Sequence, residues 1–218
     1  MKNIIFIAPP ASGKGTQSRL ISHEYKIPHI SIGEIMRGAR DANTEIGRII
    51  IECQDERKLV PLDITLKLIK TRLNSDDCDN GYILDGFPRN LEQAIEYDKI
   101  LSNINKNIDL VIYMDIDREL ALKRTLSRRI CSKCGETYNL LDDTLKPLVD
   151  NTCNKCGSEL STRSDDNEVT FNKGFDLYLE ETLPLIYYYE QRGILRKIKI
   201  ESTDTVQDIF NKLKSIIG

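Results

Sequence analysis

The four residues GKGT at positions 13–16 follow a short apolar run at 4–8 and precede a stretch at 17–25 that can be helical. Glycine lets the backbone come close to a ligand, and the amides at a helix N-terminus can hold a chain of phosphates. Lys14 supplies a mobile cation for the same phosphates. This order of strand, loop and helix predicts a P-loop.

Two positions of this loop depart from the strict P-loop motif. Ala8 stands at the first glycine of the motif, and Gly15 stands at its hydroxyl position, with Thr16 one place later. The alternative interpretation is a plain turn between a strand and a helix, with an exposed lysine.

A second apolar segment, residues 81–84, is followed at once by the sequence DGFPR at 85–89. In an open parallel sheet the carboxyl ends of the strands face the ligand crevice. At such an end Asp85 suits Mg2+ held largely through water, and Arg89 suits a phosphate bound at two points. The alternative is a strand-terminating turn with solvated charges, which the P-loop makes less favoured.

Four of the six cysteines form two Cys-x-x-Cys pairs separated by 18 residues. Four thiolates can close a tetrahedral shell around Zn2+ and so stabilise a small module with little hydrophobic core. Redox-active pairs or coincidence are the alternatives. The predicted zinc ligands are Cys131, Cys134, Cys153 and Cys156, whereas Cys53 and Cys78 lack such spacing and are predicted to be ordinary buried residues.

Short apolar runs alternate along the chain with stretches of helical character. This alternation predicts a parallel α/β sheet with helices on both faces. Further strands are expected at 27–31, 81–84, 110–114 and 195–200, and residues 33–58 are typical of a small, charged helical insertion.

Two groups of polar residues lie within or directly after predicted strands. His29 lies in an apolar run and is predicted to be a packed core residue, because no partner spacing supports a metal. Asp115 and Asp117 follow a strand and could contact a metal, but we expect a cap for the helix that starts near Glu119.

Composition limits the classes of function. The chain has 218 residues, 40% of them hydrophobic, which suffices for one large domain with insertions. Its net charge of -3, with 30% charged residues of both signs, gives no basic field for nucleic acid or a membrane surface. The N-terminal apolar run is short and ends at two prolines, unlike a signal peptide, so a cytoplasmic location is expected.

Together these motifs describe a phosphoryl-transfer site, which needs positioning and dispersed positive charge more than a nucleophile. The segments APPASGKGT, SIGEIMR, LVP, DGFPRNLEQA, LSRR and STRSDD, with the four cysteines, occur in an order and at separations that resemble the bacterial-type adenylate kinases with a long zinc-bearing lid. The resemblance covers essentially the whole chain. It implies a P-loop nucleoside monophosphate kinase fold with a central parallel five-stranded sheet and helices on both faces.

The same resemblance implies a division into three parts. The core would comprise residues 1–30, 62–126 and 164–218. A helical AMP-binding insertion would occupy residues 31–61, and a zinc-binding lid would occupy residues 127–163. Both insertions would close over the substrates and exclude water from the phosphoryl group.

The implied activity is reversible transfer of the terminal phosphate of MgATP to AMP, giving two ADP. The implied cofactors are Mg2+ with ATP and structural Zn2+. The partners would be the nucleotides ATP, AMP and ADP, without nucleic acid or membrane, and the chain would be a monomer. The residues implied for ATP are Ala11, Ser12, Gly13, Lys14, Gly15, Thr16, Arg128, Thr137, Tyr138 and Asp204.

For AMP the resemblance implies a phosphate clamp and an adenine-reading group. The implied set is Ile32, Arg37, Lys58, Leu59, Val60, Gly86, Phe87, Pro88, Arg89, Gln93, Arg163 and Gly174. The implied catalytic residues are Lys14, Asp85, Arg89, Arg124, Arg128 and Arg163. Within these sets Asp85 would hold the water shell of Mg2+, and Arg163 would bridge the phosphates in the closed state.

Several positions differ from the family pattern. Ala8 and Ala11 replace loop glycines, and a Cβ is tolerable there only if φ stays negative and the phosphate is not crowded. Ile32 stands where the family usually has threonine, and Ser202 replaces a glycine near the donor adenine.

The largest departure is Gly174, which falls where the family has an arginine that contacts the transferring phosphates. Losing such an arginine can slow turnover by a factor of about 10^3 or more. The prediction is a working but slowed enzyme, or one in which the adjacent Lys173 substitutes.

Three other functions are open on the sequence alone. A kinase for UMP, CMP or GMP would use the same loop and arginines. A zinc-ribbon nucleic-acid module is less favoured, because the cysteine region lacks interleaved aromatic residues and the net charge is negative. A weakly active or inactive nucleotide-binding homologue draws support only from Gly174.

Overall fold

The computed structural model describes residues 2–42, 44–55 and 60–218, and strands alternate with helices through them. The strands are β1 (Asn3–Ile7), β2 (His29–Ser31), β3 (Tyr82–Asp85), β4 (Leu110–Ile116), β5 (Arg128–Cys131), β6 (Thr137–Asn139), β7 (Leu160–Ser161) and β8 (Leu195–Ile200). The α-helices are α1 (Lys14–Tyr25), α2 (Ile32–Asp41), α3 (Glu45–Asp55), α4 (Leu62–Leu73), α5 (Leu91–Asn103), α6 (Arg118–Leu126), α7 (Glu168–Leu177), α8 (Pro184–Gln191) and α9 (Val206–Ile217).

Five strands form one sheet in the order β2-β3-β1-β4-β8. β1 pairs in parallel with β3 and β4, and β2 pairs in parallel with β3. The connections β1 to β2 and β3 to β4 run in opposite directions across the sheet, so right-handed crossovers place α1 and α5 on opposite faces. The predicted five-stranded sheet with flanking helices is confirmed.

β1 shows why its sequence is continuously apolar. Residues 4–7 are each at most 2% exposed, so both faces of the strand are covered. Both faces of such a parallel strand carry apolar side chains, so apolar and polar residues do not alternate along its sequence. At its carboxyl end, β3 places Asp85 beside Ser31 of β2, and these two strand ends therefore share one edge of the sheet.

The described part of the predicted helical insertion after β2 contains two helices, α2 and α3. The hydroxyl of Thr44 accepts a hydrogen bond from the amide of Gly47 at 3.1 Å, which caps the start of α3. A Cβ at Gly47 would lie 2.8 Å from the carbonyl oxygen of Ala39. Glycine at position 47 therefore lets α2 and α3 approach closely.

A second, antiparallel sheet contains three short strands in the order β6-β5-β7. Its buried core is small, and the cysteines at 134 and 156 pack against it. The core residues are Cys131, Tyr138, Cys153 and Leu160. A module with so few buried side chains depends on further cross-links for its stability.

The chain groups into two compact units. The first contains Met1–Ile7, Lys14–Tyr113 and Glu181–Arg196. The second contains Ala8–Gly13, Met114–Glu180 and Lys197–Gly218. The core of the first unit includes fully buried tyrosines, of which Tyr82 and Tyr97 bring their hydroxyl oxygens within 2.8 Å. The second unit contains the three-stranded sheet. The division into core, AMP-binding insertion and lid stays a prediction.

Among the described helices, none combines the length and the apolar character needed to cross a bilayer.

Candidate active site

The loop between β1 and α1 has the curled backbone expected of an anion-binding loop. Gly13 has φ +85°, and a Cβ there would meet no atom within 4 Å, so glycine is required for conformation rather than for space. Ala11 also has a positive φ, 58°. The condition for a tolerable Cβ, a negative φ, is therefore not met at Ala11, and this alanine bears the steric cost of the left-handed conformation.

Lys14 and Asp85 form the centre of the site in the first unit. The Lys14 ammonium lies 2.8 Å from Asp85 Oδ1, and the Nε2 atom of His29 lies 3.2 Å from Asp85 Oδ2. Burial by itself raises the pKa of Asp85, but the hydrogen bond from His29 and the charge of Lys14 outweigh it and hold this pKa well below its usual range. The predicted carboxylate at the strand end is thus ionised and beside the loop lysine.

His29 is largely enclosed, as expected of a packed residue, and it also makes a polar contact that the sequence did not predict. Its side chain is only 13% exposed, as for a packed residue, yet its ring contacts the carboxylate that the sequence assigns to magnesium. Sequence spacing missed the pair because the partners lie 56 positions apart. The register of β2 on β3, in which His29 pairs with Ile83, brings them together.

Arg89 is an exposed residue that is held by hydrogen bonds of both its backbone and its side chain. Its amide donates to Gln93 Oε1 at 2.8 Å, and its carbonyl accepts from Thr182 Oγ1 at 2.8 Å. Its Nε atom donates to the carbonyl of Gly86 at 3.0 Å. These contacts fix Arg89 at the end of β3, where an anion can approach its guanidinium.

The remaining residues predicted for AMP lie on several elements. Ile32 is 5% exposed in the first turn of α2, and Gln93 is 8% exposed in the first turn of α5. Arg37 is exposed, and its guanidinium would lie 3.4 Å from a Cβ at Gly33. Phe87 and Pro88 are buried next to Gly86, and Val60 is half-buried. Lys58 and Leu59 lie outside the described residues.

The second unit contains three of the predicted arginines, Arg124, Arg128 and Arg163. Arg128 begins β5, and both carboxylate oxygens of Asp166 accept hydrogen bonds from it, one from Nε at 2.9 Å. Burial lowers the pKa of Arg124, although Asp142 and Asp204 oppose this shift. Arg163 is exposed between β7 and α7. The Arg128–Asp166 pair was not predicted from the sequence.

The other residues predicted for ATP also lie on described elements. Ser12 is buried and Thr137 begins β6, while Gly15 and Thr16 lie in the first turn of α1. The carboxylate of Asp204 is bound by Lys212 at 2.6 Å and by the amide of Glu201 at 2.8 Å.

Gly174 lies in α7 with space around it. A Cβ at this position would have Pro10 Cγ as its nearest neighbour, at 4.0 Å. Lys173 beside it is exposed. The backbone at Gly174 therefore has room for a Cβ, where the family pattern has an arginine and this chain has none.

The four cysteine sulfurs have a geometry that fits zinc. All four lie within 4.8 Å of one another, and three sulfur pairs are 3.4 to 3.5 Å apart. Tetrahedral Zn2+ with bonds of about 2.3 Å needs sulfur separations of about 3.8 Å. Hydrogen bonds with Tyr138, first of all, and with the backbone amides of Cys156 and Lys155 lower the pKa of the Cys153 thiol to about 6, which favours the thiolate that a metal binds.

The structure also tests the predicted helix cap and the predicted burial of the two other cysteines. Asp117 caps α6 as predicted, by accepting from the amide of Glu119 at 2.9 Å. Asp115 lies 3.0 Å from Lys197. Cys78 is buried as predicted, whereas Cys53 is only half-buried.

Comparison with known proteins identifies the family. The family model described as adenylate kinase matches residues 6–194. An adenylate kinase of Thermoanaerobacter sp. (strain X514) is 40% identical over 99% of this chain and 97% of its own. One of Caldanaerobacter subterraneus subsp. tengcongensis is 41% identical over 98% of this chain and 95% of its own. One of Clostridium botulinum (strain Hall) is 39% identical over 99% of this chain and 98% of its own. The chain belongs to the adenylate kinase family.

Proposed function

We propose that this enzyme, an ATP:AMP phosphotransferase by family, transfers the terminal phosphate of MgATP reversibly to AMP and acts as a monomer in the cytoplasm. The observation that carries the proposal is the ion pair of 2.8 Å between Lys14, the first residue of α1, and Asp85, the last residue of β3. A cation at a helix N-terminus and a carboxylate at a strand end are the groups that a magnesium polyphosphate needs.

On the donor side, Lys14 exchanges part of its contact with Asp85 for the phosphates of ATP. The amides of residues 12–16 hold the same phosphates, because they lie at the amino end of α1. When bound with ATP, Mg2+ would neutralise phosphate charge and orient the terminal group. Asp85 fits this ion through its water shell, because its carboxylate is ionised and lies beside the lysine.

Positive charge on the transferred group comes from Arg124, Arg128 and Arg163. Phosphoryl transfer depends on such dispersed charge more than on a nucleophilic side chain. In this proposal Arg128 leaves Asp166 and binds phosphate when ATP is present. In the absence of nucleotide, Asp166 keeps the guanidinium of Arg128 near the place where it binds phosphate.

On the acceptor side, Arg37 and Arg89 hold the phosphate of AMP and Gln93 contacts its base. The side-chain oxygen of Gln93, Oε1, already accepts a hydrogen bond from the amide of Arg89 at 2.8 Å. Gln93 therefore offers its NH2 group, a donor, to a ring nitrogen of the base. Ile32 contributes an apolar surface in place of a hydroxyl group.

The four cysteines hold structural Zn2+ in the lid. When bound, the ion would supply the cross-link that the small core of the three-stranded sheet β6-β5-β7 needs. Lids of adenylate kinases are an established example of substrate-driven closure, which keeps water from the activated phosphoryl group.

The test is product analysis by chromatography with ATP and each of AMP, UMP, CMP and GMP. AMP should be converted to ADP faster than any other acceptor is phosphorylated. Lys14→Met, which removes the cation but keeps the helix, should lower turnover by a factor of about 10^2 or more. A faster reaction with another acceptor, or equal rates for Lys14→Met and the wild type, would contradict the proposal.

A further inference from the structure

The side chain of Tyr138 lies inside the cysteine module. Tyr138 is in β6, opposite Arg129 of β5, and only 5% of it is exposed. Its neighbours in the buried cluster are Cys131, Cys153 and Leu160. The resemblance to adenylate kinases assigns Tyr138 to the donor nucleotide, but a side chain buried in this cluster is directed at the cysteines.

The hydroxyl of Tyr138 has two polar partners, and one of them can act only as a donor. It accepts a hydrogen bond from the amide of Asn154 at 2.8 Å, and its oxygen lies 3.4 Å from Cys153 Sγ. A phenol has a single proton to donate. Because the amide of Asn154 can only donate, the hydroxyl proton is free to point at the sulfur of Cys153.

A donor at this place matters more for Cys153 than for an exposed thiolate. Cys153 is 1% exposed, so water supplies little solvation to its sulfur. Four thiolates around one Zn2+ leave net negative charge on the sulfurs, and buried charge is costly without hydrogen-bond donors. Groups that orient and solvate a metal ligand commonly change metal affinity by about 10- to 100-fold.

We propose that Tyr138 is a positioning residue of the zinc site, whose hydroxyl donates to the Cys153 thiolate and holds its sulfur in place for the metal. The inference rests on the proposed occupancy of the four cysteines by zinc. It assigns the Tyr138 side chain to the metal and leaves only its backbone for a nucleotide. Thr137, the preceding residue of β6, then carries any side-chain contact to ATP from this strand.

The experiment compares full-length wild type with Tyr138→Phe, which removes one oxygen and keeps the ring. Zinc transfer to a chromophoric chelator is followed after each protein is loaded with Zn2+ alone. Tyr138→Phe should lose zinc about 10- to 100-fold faster. Tyr187→Phe, at a residue that is 67% exposed, is the matched control and should lose zinc at the wild-type rate.

Two outcomes overturn the inference in different ways. If wild type holds zinc and Tyr138→Phe holds it as long, the positioning role is wrong while the zinc site stands. If wild type takes up no zinc, the metal assignment in the proposed function is wrong and the inference with it. A higher KM for ATP in zinc-loaded Tyr138→Phe, with unchanged zinc release, would show that the Tyr138 side chain contacts the nucleotide instead of supporting the metal site.

A measurement on the unmodified protein covers the case in which Tyr138→Phe does not fold. Wild type loaded with 113Cd should show coupling between the metal and the Tyr138 hydroxyl proton, transmitted through the Cys153 sulfur. Coupling to the β-protons of all four cysteines without coupling to this hydroxyl would contradict the inference.

Discussion

Asp166 binds the guanidinium of Arg128 with both carboxylate oxygens, one of them 2.9 Å from Arg128 Nε. The Asp166 side chain is 1% exposed and that of Arg128 is 22% exposed, so the pair is largely shielded from water. The contact joins the first residue of β5 to the segment before α7. One carboxylate therefore sets the position of an arginine that the proposal assigns to phosphate.

Asp166→Asn should destabilise the protein, because it leaves a shielded guanidinium without its counter-charge. Hydrogen bonds to charged groups contribute about 1.5–3 kcal/mol, so the free energy of unfolding should fall by roughly this amount. Urea unfolding gives the value. The neighbouring Asp165 is exposed, and Asp165→Asn is the matched control. Equal losses in the two variants would show that the pair contributes nothing particular.

Gly174→Arg should raise kcat, because α7 accommodates a Cβ at this position and the substitution restores the cation that the family pattern places on the transferred phosphate. An arginine that stabilises a transferred phosphoryl group can contribute a factor of about 10^3 or more, and a gain of at least tenfold is expected. Steady-state kinetics with saturating ATP and AMP measures it.

Gly174→Ala distinguishes the effect of the added charge on kcat from the effect of higher helix propensity. It should stabilise α7 by about 1 kcal/mol without raising kcat, since alanine only improves helix propensity. A fall in kcat for Gly174→Arg, or an equal rise in both variants, would refute the assignment of this position to phosphate.

Ala11→Gly should stabilise the fold by about 1 kcal/mol. A left-handed conformation costs a residue with a Cβ about 1–2 kcal/mol. Glycine avoids this cost, and the greater conformational entropy of glycine in the unfolded chain offsets only part of the gain. Ala8 does not share the positive φ, so Ala8→Gly should give no gain. Thermal unfolding of both variants decides the point, and a loss of stability in Ala11→Gly would count against the strain.

The pH dependence of stability should depend on Asp85. Its pKa is lower in the folded protein than in the unfolded chain, so its ionised form stabilises the fold. This contribution is complete above the unfolded carboxyl pKa of about 3.9 and is lost as pH falls from there toward the folded pKa. At pH 7 Asp85→Asn should be less stable than wild type.

Denaturant unfolding across pH measures this difference. The difference between wild type and Asp85→Asn should shrink below about pH 4, where the unfolded carboxyl group binds its proton. A difference that stays constant down to pH 2 would show that Asp85 does not stabilise the fold through its charge.

Metal removal should lower the melting temperature of the wild type, because the module around the cysteines has few other buried residues. The double variant Cys134→Ser, Cys156→Ser lacks two of the four predicted zinc ligands. Its melting temperature should therefore be the same with and without chelator. Scanning calorimetry before and after chelation tests both. A chelator effect of equal size in the variant would mean that the metal binds elsewhere.

The sequence identified the parts of the site whose signal is local. Lys14, Asp85 and Arg89 lie in short motifs at the ends of apolar runs, and the cysteine spacing predicts a tetrahedral cluster. Alternation of strand and helix likewise predicted the five-stranded sheet, because each β–α unit carries its own pattern.

Contacts between distant segments were not predictable in this way. His29 contacts Asp85 only because β2 pairs with β3 in one particular register. The phenol of Tyr138 reaches Cys153 only because the turn at Asn154 returns beside β6. The positive φ of Ala11 was missed because alanine rarely adopts it, and the loop overrides that preference.

The stoichiometry of the reaction of ATP with AMP, measured by chromatography with Mg2+ present and again after its removal, tests the proposed phosphoryl transfer most directly. Two ADP should form for each AMP consumed, and their formation should stop when Mg2+ is removed. ADP release that does not require AMP, or that continues at the same rate without Mg2+, would contradict it.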